Sequence, residues 1–122
     1  MHEVERDEIR ERRIRDEVVV DAYDAGERAL GWYYYLEDRC SFPFTAVCIG
    51  ERAISPLQEG DEVAVVGMGP EEECEAEMFV EIRWKPRPLA VSLVQLRPVS
   101  VDDGTREAIE DWHYWEARGY EF

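Results

Sequence analysis

Four short runs of β-branched and aromatic residues constrain the fold of this chain more than any other feature of its sequence. The runs cover residues 44–49, 62–68, 78–84 and 89–96. In the third run Met78, Val80, Ile82 and Trp84 alternate with more polar residues, a period-two pattern that is typical of a strand with one buried face. The runs therefore predict short strands, each of which covers a shared core with one side.

Glycine and proline separate the runs and predict tight connections between them. These residues occur at Gly60, at Gly69-Pro70 and at 86–88, and they favour turns rather than long crossover segments. A last short edge strand is predicted at 97–99. Four or five antiparallel strands with tight connections predict either a small SH3-like β-barrel or a curved antiparallel sheet.

Apolar residues recur at helical spacing on both sides of these strands. One stripe starts at Ile14 and Val18 and continues through Ala22, and a second runs along 29–36 after a possible capping box at Asp24. A third stripe covers 108–115, with Asp102 or Asp103 as its N-cap and Gly119 as its stop. The predicted fold class is therefore α+β, a small sheet or barrel flanked by an N-terminal helix and a C-terminal helix.

Length and composition favour one domain. The chain has 122 residues, and its 45% hydrophobic content is typical of a folded globule. Residues 1–13 are almost wholly charged, and we interpret them as the frayed start of a helix or a disordered lead-in to a single domain at 14–122. The sequence shows no segment of signal-peptide type and no run long enough to span a bilayer, so we expect a cytoplasmic protein.

The charge of the chain limits its partners. The formal net charge is -15, from 29 acidic and 14 basic residues. Such a surface repels phosphate groups, so nucleic acids and anionic membranes are not expected as partners. Metal cations and basic proteins remain partners that suit this charge, and we expect a monomer. A zinc site is conceivable, but the three cysteines do not have the spacing of paired zinc knuckles.

The connection between the second and third runs is the most acidic segment. Five carboxylates fall within seven residues, at Glu71, Glu72, Glu73, Glu75 and Glu77. Two carboxylates about 6 Å apart repel by about 0.7 kcal/mol in a water-like dielectric. The chain relieves this repulsion either by turning the side chains into solvent or by binding a cation, and Ca²⁺ takes six to eight oxygen ligands. Charge alone does not exclude the alternative that this connection is an acidic loop whose side chains simply point into solvent.

Several segments together resemble a known family. Residues 31–39 read GWYYYLEDR and are followed by FPFTA at 42–46, PEEECE at 70–75, MFV at 78–80 and DWHYW at 111–115. In this order they resemble the cyanobacterial-type calcium-binding protein family, small acidic proteins that bind Ca²⁺ without an EF-hand. The resemblance implies a compact domain that binds calcium in an acidic depression, helps to set free cytosolic calcium and is not an enzyme.

The resemblance implies two sources of calcium ligands. The first is the pair Glu37 and Asp38, and the second is the connection at 71–77. The sequence contains no EF-hand loop, so the ligands have to converge from distant segments. Asp38 lies where a predicted helix ends, beside unpaired carbonyl groups and the negative end of the helix dipole. We therefore predict Asp38 as the central ligand, with two or three of the five glutamates around it.

This prediction makes the protein a calcium buffer or sensor. The alternative is an SH3-like protein-interaction module whose acidic surface recruits a basic partner.

Overall fold

The computed structural model describes residues 5–122 and contains three α-helices. Helix α1 spans Glu8–Arg13 and continues directly into a π-helical turn at Ile14–Val18. Helix α2 spans Ala25–Arg39, and helix α3 spans Asp103–Ala117 near the end of the chain. These helices are too short or too polar to cross a membrane, as far as the described residues go.

Five strands form one antiparallel sheet. The strands are β1 (Phe44–Cys48), β2 (Glu62–Met68), β3 (Phe79–Trp84), β4 (Arg87–Ser92) and β5 (Leu96–Val99). They pair in the order β4-β3-β2-β1-β5. The sheet is open, since β4 and β5 lie at its two edges. The predicted α+β class is confirmed, and of the two predicted alternatives the chain adopts the antiparallel sheet between flanking helices rather than a closed SH3-like barrel.

The core lies where α2 and α3 pack against each other and against the sheet. Val80 and Ile82 of β3 are buried as the period-two pattern predicted, whereas Trp84, on the same predicted face at the end of the strand, is exposed. Trp32 of α2 contacts Trp112 of α3 edge-to-face, with ring centroids 5.0 Å apart. Because aromatic rings bury large areas in such contacts, this pair contributes much of the helix–helix packing.

Local signals in the sequence place the helix ends. The Asp24 carboxylate accepts from the backbone N–H of Glu27 at 2.8 Å, and the Asp102 carboxylate accepts from that of Thr105 at 2.7 Å. These contacts confirm both predicted N-caps. Gly119 has a φ of 77° and ends α3, as predicted, because a left-handed conformation there suits glycine.

Three details of the predicted elements are wrong. Ala22 lies outside the helices, because the backbone turns at Asp21, which has a φ of 60°. The fourth run does not form one strand, since a 3₁₀ turn at Leu93–Gln95 separates β4 from β5. The predicted turn at 86–88 is shorter than expected, and β4 begins inside it because an edge strand tolerates Pro88.

The charged lead-in is helical where it is described. Residues 1–4 lie outside the described residues. Asp7 caps α1 by accepting from the backbone N–H of Arg10 at 3.0 Å, and α1 contacts α3 through ion pairs. Of the two alternatives for this segment, the start of a helix is the one that residues 8–13 adopt. The boundary of the domain at residue 14 stays a prediction.

Candidate metal site

The acidic connection forms a short, anchored turn between β2 and β3. Glu71–Glu73 form one 3₁₀ turn, with all three side chains exposed. Cys74 is buried directly after it, and its sulfur accepts from the backbone N–H of Phe79 at 3.3 Å. Burial raises the pKa of the Cys74 thiol, which keeps this anchor neutral. The segment is therefore a fixed turn and not a loose loop.

The 3₁₀ turn determines which of its glutamates can share a face. An extended segment would place Glu71 and Glu73 on the same face. In a 3₁₀ turn, successive side chains are about 120° apart, so residues two positions apart point in different directions. Glu71 and Glu73 accordingly cannot act as a pair on one face.

Three consecutive tyrosines of α2 connect this helix to different parts of the molecule. The Tyr33 hydroxyl donates to the carbonyl of Gly69 at 2.8 Å, and the Tyr34 hydroxyl donates to the Glu71 carboxylate at 2.9 Å. The Tyr35 hydroxyl donates to Asp111 of α3 at 2.7 Å. The three neighbouring tyrosines therefore diverge, and Tyr34 is the one that reaches the acidic segment. Two of the three contacts hold α2 against the acidic turn.

The charges of Glu37 and Glu71 both raise the pKa of Tyr33 and of Tyr34. The hydrogen bond to Glu71 is the main cause that raises the pKa of Tyr34, and the charge of Glu37 raises it further. Burial is the main cause that raises the pKa of Tyr33, followed by the charges of Glu37 and Glu71. Glu37 and Glu71 therefore act on the same two phenol groups, although 34 positions separate them in the sequence.

Two acidic depressions flank α2 at this level. The first lies beside the start of the helix and is lined by Asp24, Glu27, Glu71, Glu72 and Glu75, among others. The second lies beside the end of the helix and is lined by Glu17, Tyr34, Glu37, Asp38 and Arg39, among others. The hydrogen bond between Tyr34 and Glu71 joins the two depressions, because each contributes one of its partners.

The predicted ligands therefore do not all line the same depression. Glu37 and Asp38 line the second depression. Glu71 lines the first and accepts a hydrogen bond from Tyr34, which lines the second. Glu72 and Glu75 line the first depression. Glu73 lines neither of them. Glu77 accepts from the Ser92 hydroxyl at 2.6 Å and pairs with Arg52 at 3.1 Å, so its carboxylate is held by other groups.

No three carboxylate, histidine or cysteine side chains within residues 5–122 are already arranged as a metal-binding group. The carboxylates of Glu37, Asp38 and Glu71 are exposed, so their side chains have room to rotate. The donors present are carboxylate, hydroxyl and carbonyl oxygens, which fit a hard cation such as Ca²⁺. Arg39 is the opposing charge in the second depression, where it pairs with Glu17 and approaches Glu107 at 3.8 Å.

Asp24, Glu27 and Tyr34 were not among the predicted site residues. Asp24 was interpreted only as a helix cap, which is one of its two roles in the structure. Positions 27, 30, 34 and 37 recur at intervals of three and four, and this spacing places them on one helix face. That face carries the exposed Leu30 and Tyr34 among its acids, so an apolar stripe that continues onto the surface was the available signal.

His113 has a packing role rather than a role at this site. Its Nε2 atom lies 2.8 Å from the carbonyl oxygen of Leu96, in β5. Burial lowers the pKa of its imidazole.

Comparisons with known proteins agree on one family. The model of the family Calci_bind_CcbP, described as calcium binding, matches residues 12–116. The crystal structure of Anabaena CcbP is similar, with 46% identity, a TM-score of 0.88 and 100% of each chain covered. A structure described as a calcium binding protein in the calcium-binding form is similar over 100% of each chain, with 44% identity and a TM-score of 0.86. No curated protein matches the sequence.

Proposed function

Because this chain belongs to the CcbP family of calcium-binding proteins, we propose that it binds Ca²⁺ between the end of α2 and the acidic turn. In this role it acts as a cytosolic calcium buffer or sensor and performs no chemistry of its own. The relative described in the calcium-binding form supports this proposal, because it covers the whole chain at 44% identity.

The hydrogen bond between Tyr34 and Glu71 is the observation that carries the proposal. It joins the end of one helix to the acidic turn across 37 positions of the sequence. Tyr34 lies three and four residues before Glu37 and Asp38, so these carboxylates share its side of the helix. An ion beside Tyr34 therefore has Glu37, Asp38 and Glu71 as its nearest candidate ligands, with Glu72 and Glu75 next along the turn, whereas Glu73 lines neither depression.

The helix dipole favours the second depression over the first. Both depressions offer carboxylates, but the first lies beside the N-terminus of α2, where exposed N–H groups repel cations. The second lies beside the C-terminus, where carbonyl oxygens are available and the partial charge is negative. We accordingly assign the ion to the side of Glu37 and Asp38, and we omit Glu77 from the proposed ligands because Arg52 and Ser92 hold it.

Binding requires the exposed carboxylates to converge. Ordering each long side chain costs about 0.5–1.5 kcal/mol, and this cost reduces affinity. In return, the ion removes the repulsion among the carboxylates of the turn. Affinity is therefore expected to depend strongly on how many of the carboxylates that contact the ion are charged.

Calorimetric titration of the chelator-treated protein with Ca²⁺ tests the role of Glu71. We expect Glu71→Gln to weaken the tightest site by at least about tenfold, because the number of charged ligands sets calcium affinity. Glu73→Gln is the matched control in the same turn, and we expect a change of less than about threefold. Equal effects of the two variants, or no heat with the unmodified protein at millimolar Ca²⁺, would refute this assignment.

A second pair of variants tests which end of α2 supplies ligands. Glu37→Gln with Asp38→Asn should weaken Ca²⁺ binding more than Asp24→Asn with Glu27→Gln, although each pair removes two charges. The change at Asp24 keeps an N-cap, since asparagine caps helices as well as aspartate does. A larger loss from the Asp24 and Glu27 pair would move the ion to the first depression.

The alternative function, recruitment of a basic partner by the acidic surface, rests on net charge alone and stays a prediction. A calcium-dependent conformational change in solution would favour a sensor. Binding without such a change would favour a buffer.

A further inference from the structure

The hairpin between β3 and β4 concentrates positive charge in an otherwise acidic molecule. Arg83 and Trp84 end β3, Lys85 lies in the turn and Arg87 begins β4. We call these four residues the basic tip. They include the chain's one lysine and three of its 14 basic residues, within five positions.

The cations of the basic tip are exposed and have no acidic partner among the residues that the structure describes. Arg83, Lys85 and Arg87 are each exposed, and none of them forms an ion pair within residues 5–122. Several other arginines behave differently. Arg13 pairs with Asp111, and Arg52 pairs with Glu77. In a chain with about twice as many acids as bases, three adjacent cations without a carboxylate are therefore available to an external anion.

The same hairpin presents an aromatic surface. Trp32, Trp112 and Trp115 are core residues, whereas Trp84 is 37% exposed. Trp84 lines a small, mainly apolar depression together with Val66, Pro86 and Pro88. An exposed tryptophan beside rigid prolines provides a binding surface that loses little conformational entropy when it is covered.

The basic tip lies far from the acidic turn. The acidic turn precedes β3 and the basic tip includes the last two residues of this strand, so the two lie at opposite ends of its six residues. At about 3.3 Å per residue this is roughly 17–20 Å, or about two Debye lengths at physiological salt. The field of the acidic turn is consequently screened at the tip, and the nearest acid on β3 is Glu81, two positions before Arg83.

We propose that the basic tip is a docking site for a short acidic peptide segment of a partner protein, with an apolar side chain of that segment placed in the Trp84 depression. Charge complementarity selects the acidic residues, and the depression selects the apolar one. The segment has to be short, because the net charge of -15 repels an extended polyanion once it reaches beyond the tip. This distinguishes a peptide from a nucleic acid or an anionic membrane.

Fluorescence anisotropy with a labelled short peptide of glutamates around one phenylalanine tests the proposal. We expect binding that Lys85→Glu with Arg87→Glu weakens by at least about tenfold. The matched control is Arg12→Glu with Arg97→Glu, which changes the net charge equally at two exposed arginines away from the tip. The control should remain within about twofold, and circular dichroism should show both variants folded.

A direct readout comes from the tryptophan indole N–H signals in a ¹H–¹⁵N spectrum. The signal of Trp84 should shift on addition of the peptide, while those of the buried Trp32 and Trp112 should not. The shift should persist in chelator, because the tip contains none of the proposed calcium ligands. The calcium titration of the tip variant should also be unchanged, so this inference and the calcium proposal can fail separately.

Three outcomes would overturn the inference. The first is no binding of the peptide by the unmodified protein, or equal weakening in the tip variant and its control. The second is tighter binding of a thymidine oligonucleotide or of phosphatidylserine vesicles than of the peptide, which would assign the tip to another class of partner. The third is a Trp84 signal that does not move when the peptide binds.

Discussion

Asp111 connects three helices through one buried carboxylate. Its side chain is fully buried in α3, where it accepts hydrogen bonds from Arg10 at 2.8 Å and from Arg13 at 2.6 and 2.8 Å. Tyr35 of α2 donates the fourth hydrogen bond at 2.7 Å. The charge of Asp111 raises the pKa of Arg13, and burial together with this hydrogen bond raises that of Tyr35. Removing one member of such a buried group is strongly destabilising, because it leaves another charge without its partner.

Replacement of Asp111 by asparagine should destabilise the fold. The change leaves Arg10 and Arg13 without their shared counter-charge, and breaking a buried ion pair in this way costs about 3–5 kcal/mol. We expect a decrease of about 3 kcal/mol in the free energy of unfolding, measured by urea denaturation. Glu110→Gln is the control on the same helix. Because Glu110 is exposed and lies 3.7 Å from Arg10, its loss should cost less than about 1 kcal/mol.

A similar loss in both variants would contradict this account. It would mean that the Asp111 contacts contribute no more than a surface ion pair. The sequence could not predict this arrangement, because the three residues that donate to Asp111 lie 76 to 101 positions away. Spacing along one helix shows which residues share a face, but it does not show what a distant segment places against them.

Among the elements, α2 depends on one close approach. A Cβ atom built at Gly31 would lie 2.2 Å from the carbonyl oxygen of Val18, at the end of the π-helical turn. A glycine within a helix permits the close approach of a neighbouring segment. The neighbour is the preceding turn, because α1 folds back along the helices and not across the strands. Gly31 therefore sets the distance between α2 and the N-terminal segment.

Gly31→Ala should destabilise the protein although alanine favours helices. The clash is with a backbone atom, so the turn or the helix has to shift, and overpacking of this kind costs about 1–3 kcal/mol. Gly26→Ala in the same helix is the control, because its Cβ would meet only the Asp24 carboxylate at an ordinary 3.4 Å. We expect that change to stabilise by up to about 1 kcal/mol. Thermal or urea unfolding of the two variants would contradict us if both shifted in the same direction.

The order and type of the main elements could be predicted because each carries a local signal. Asp24, Asp102 and Gly119 provide helix caps and stops, and β3 has a clear period of two. The π-helical turn and the 3₁₀ turn at Glu71–Glu73 could not be predicted, since their sequences do not differ from ordinary helix or loop. Of the two, the 3₁₀ turn matters more for the candidate site, because it determines which glutamates face α2.

At the scale of the whole molecule, the positions of the charged segments are more informative than the net charge. The acidic turn and the end of α2 lie together, while the basic tip lies at the other end of β3. The resemblance to a calcium-binding family was confirmed by the match over residues 12–116, and the general region of the acidic segments followed from it. Which carboxylates ligate the ion stays a prediction, since it depends on side chains that are exposed and rotate on binding.

The two contributions of positive ions to stability can be separated by heating the protein in NaCl and in CaCl₂ of equal ionic strength. Sodium ions should raise the melting temperature modestly, because they screen the repulsion within a surface of charge -15. Calcium should raise it further, because a ligand that binds only the folded state stabilises it by about 2.7 kcal/mol at 100 times its dissociation constant. Mg²⁺ should give a smaller increase, since it demands stricter geometry and dehydrates reluctantly. The Glu71→Gln variant should retain the response to sodium and lose most of the additional response to calcium. Equal melting curves in the two salts would show that calcium only screens the surface charge of this protein, although the chain belongs to a calcium-binding family.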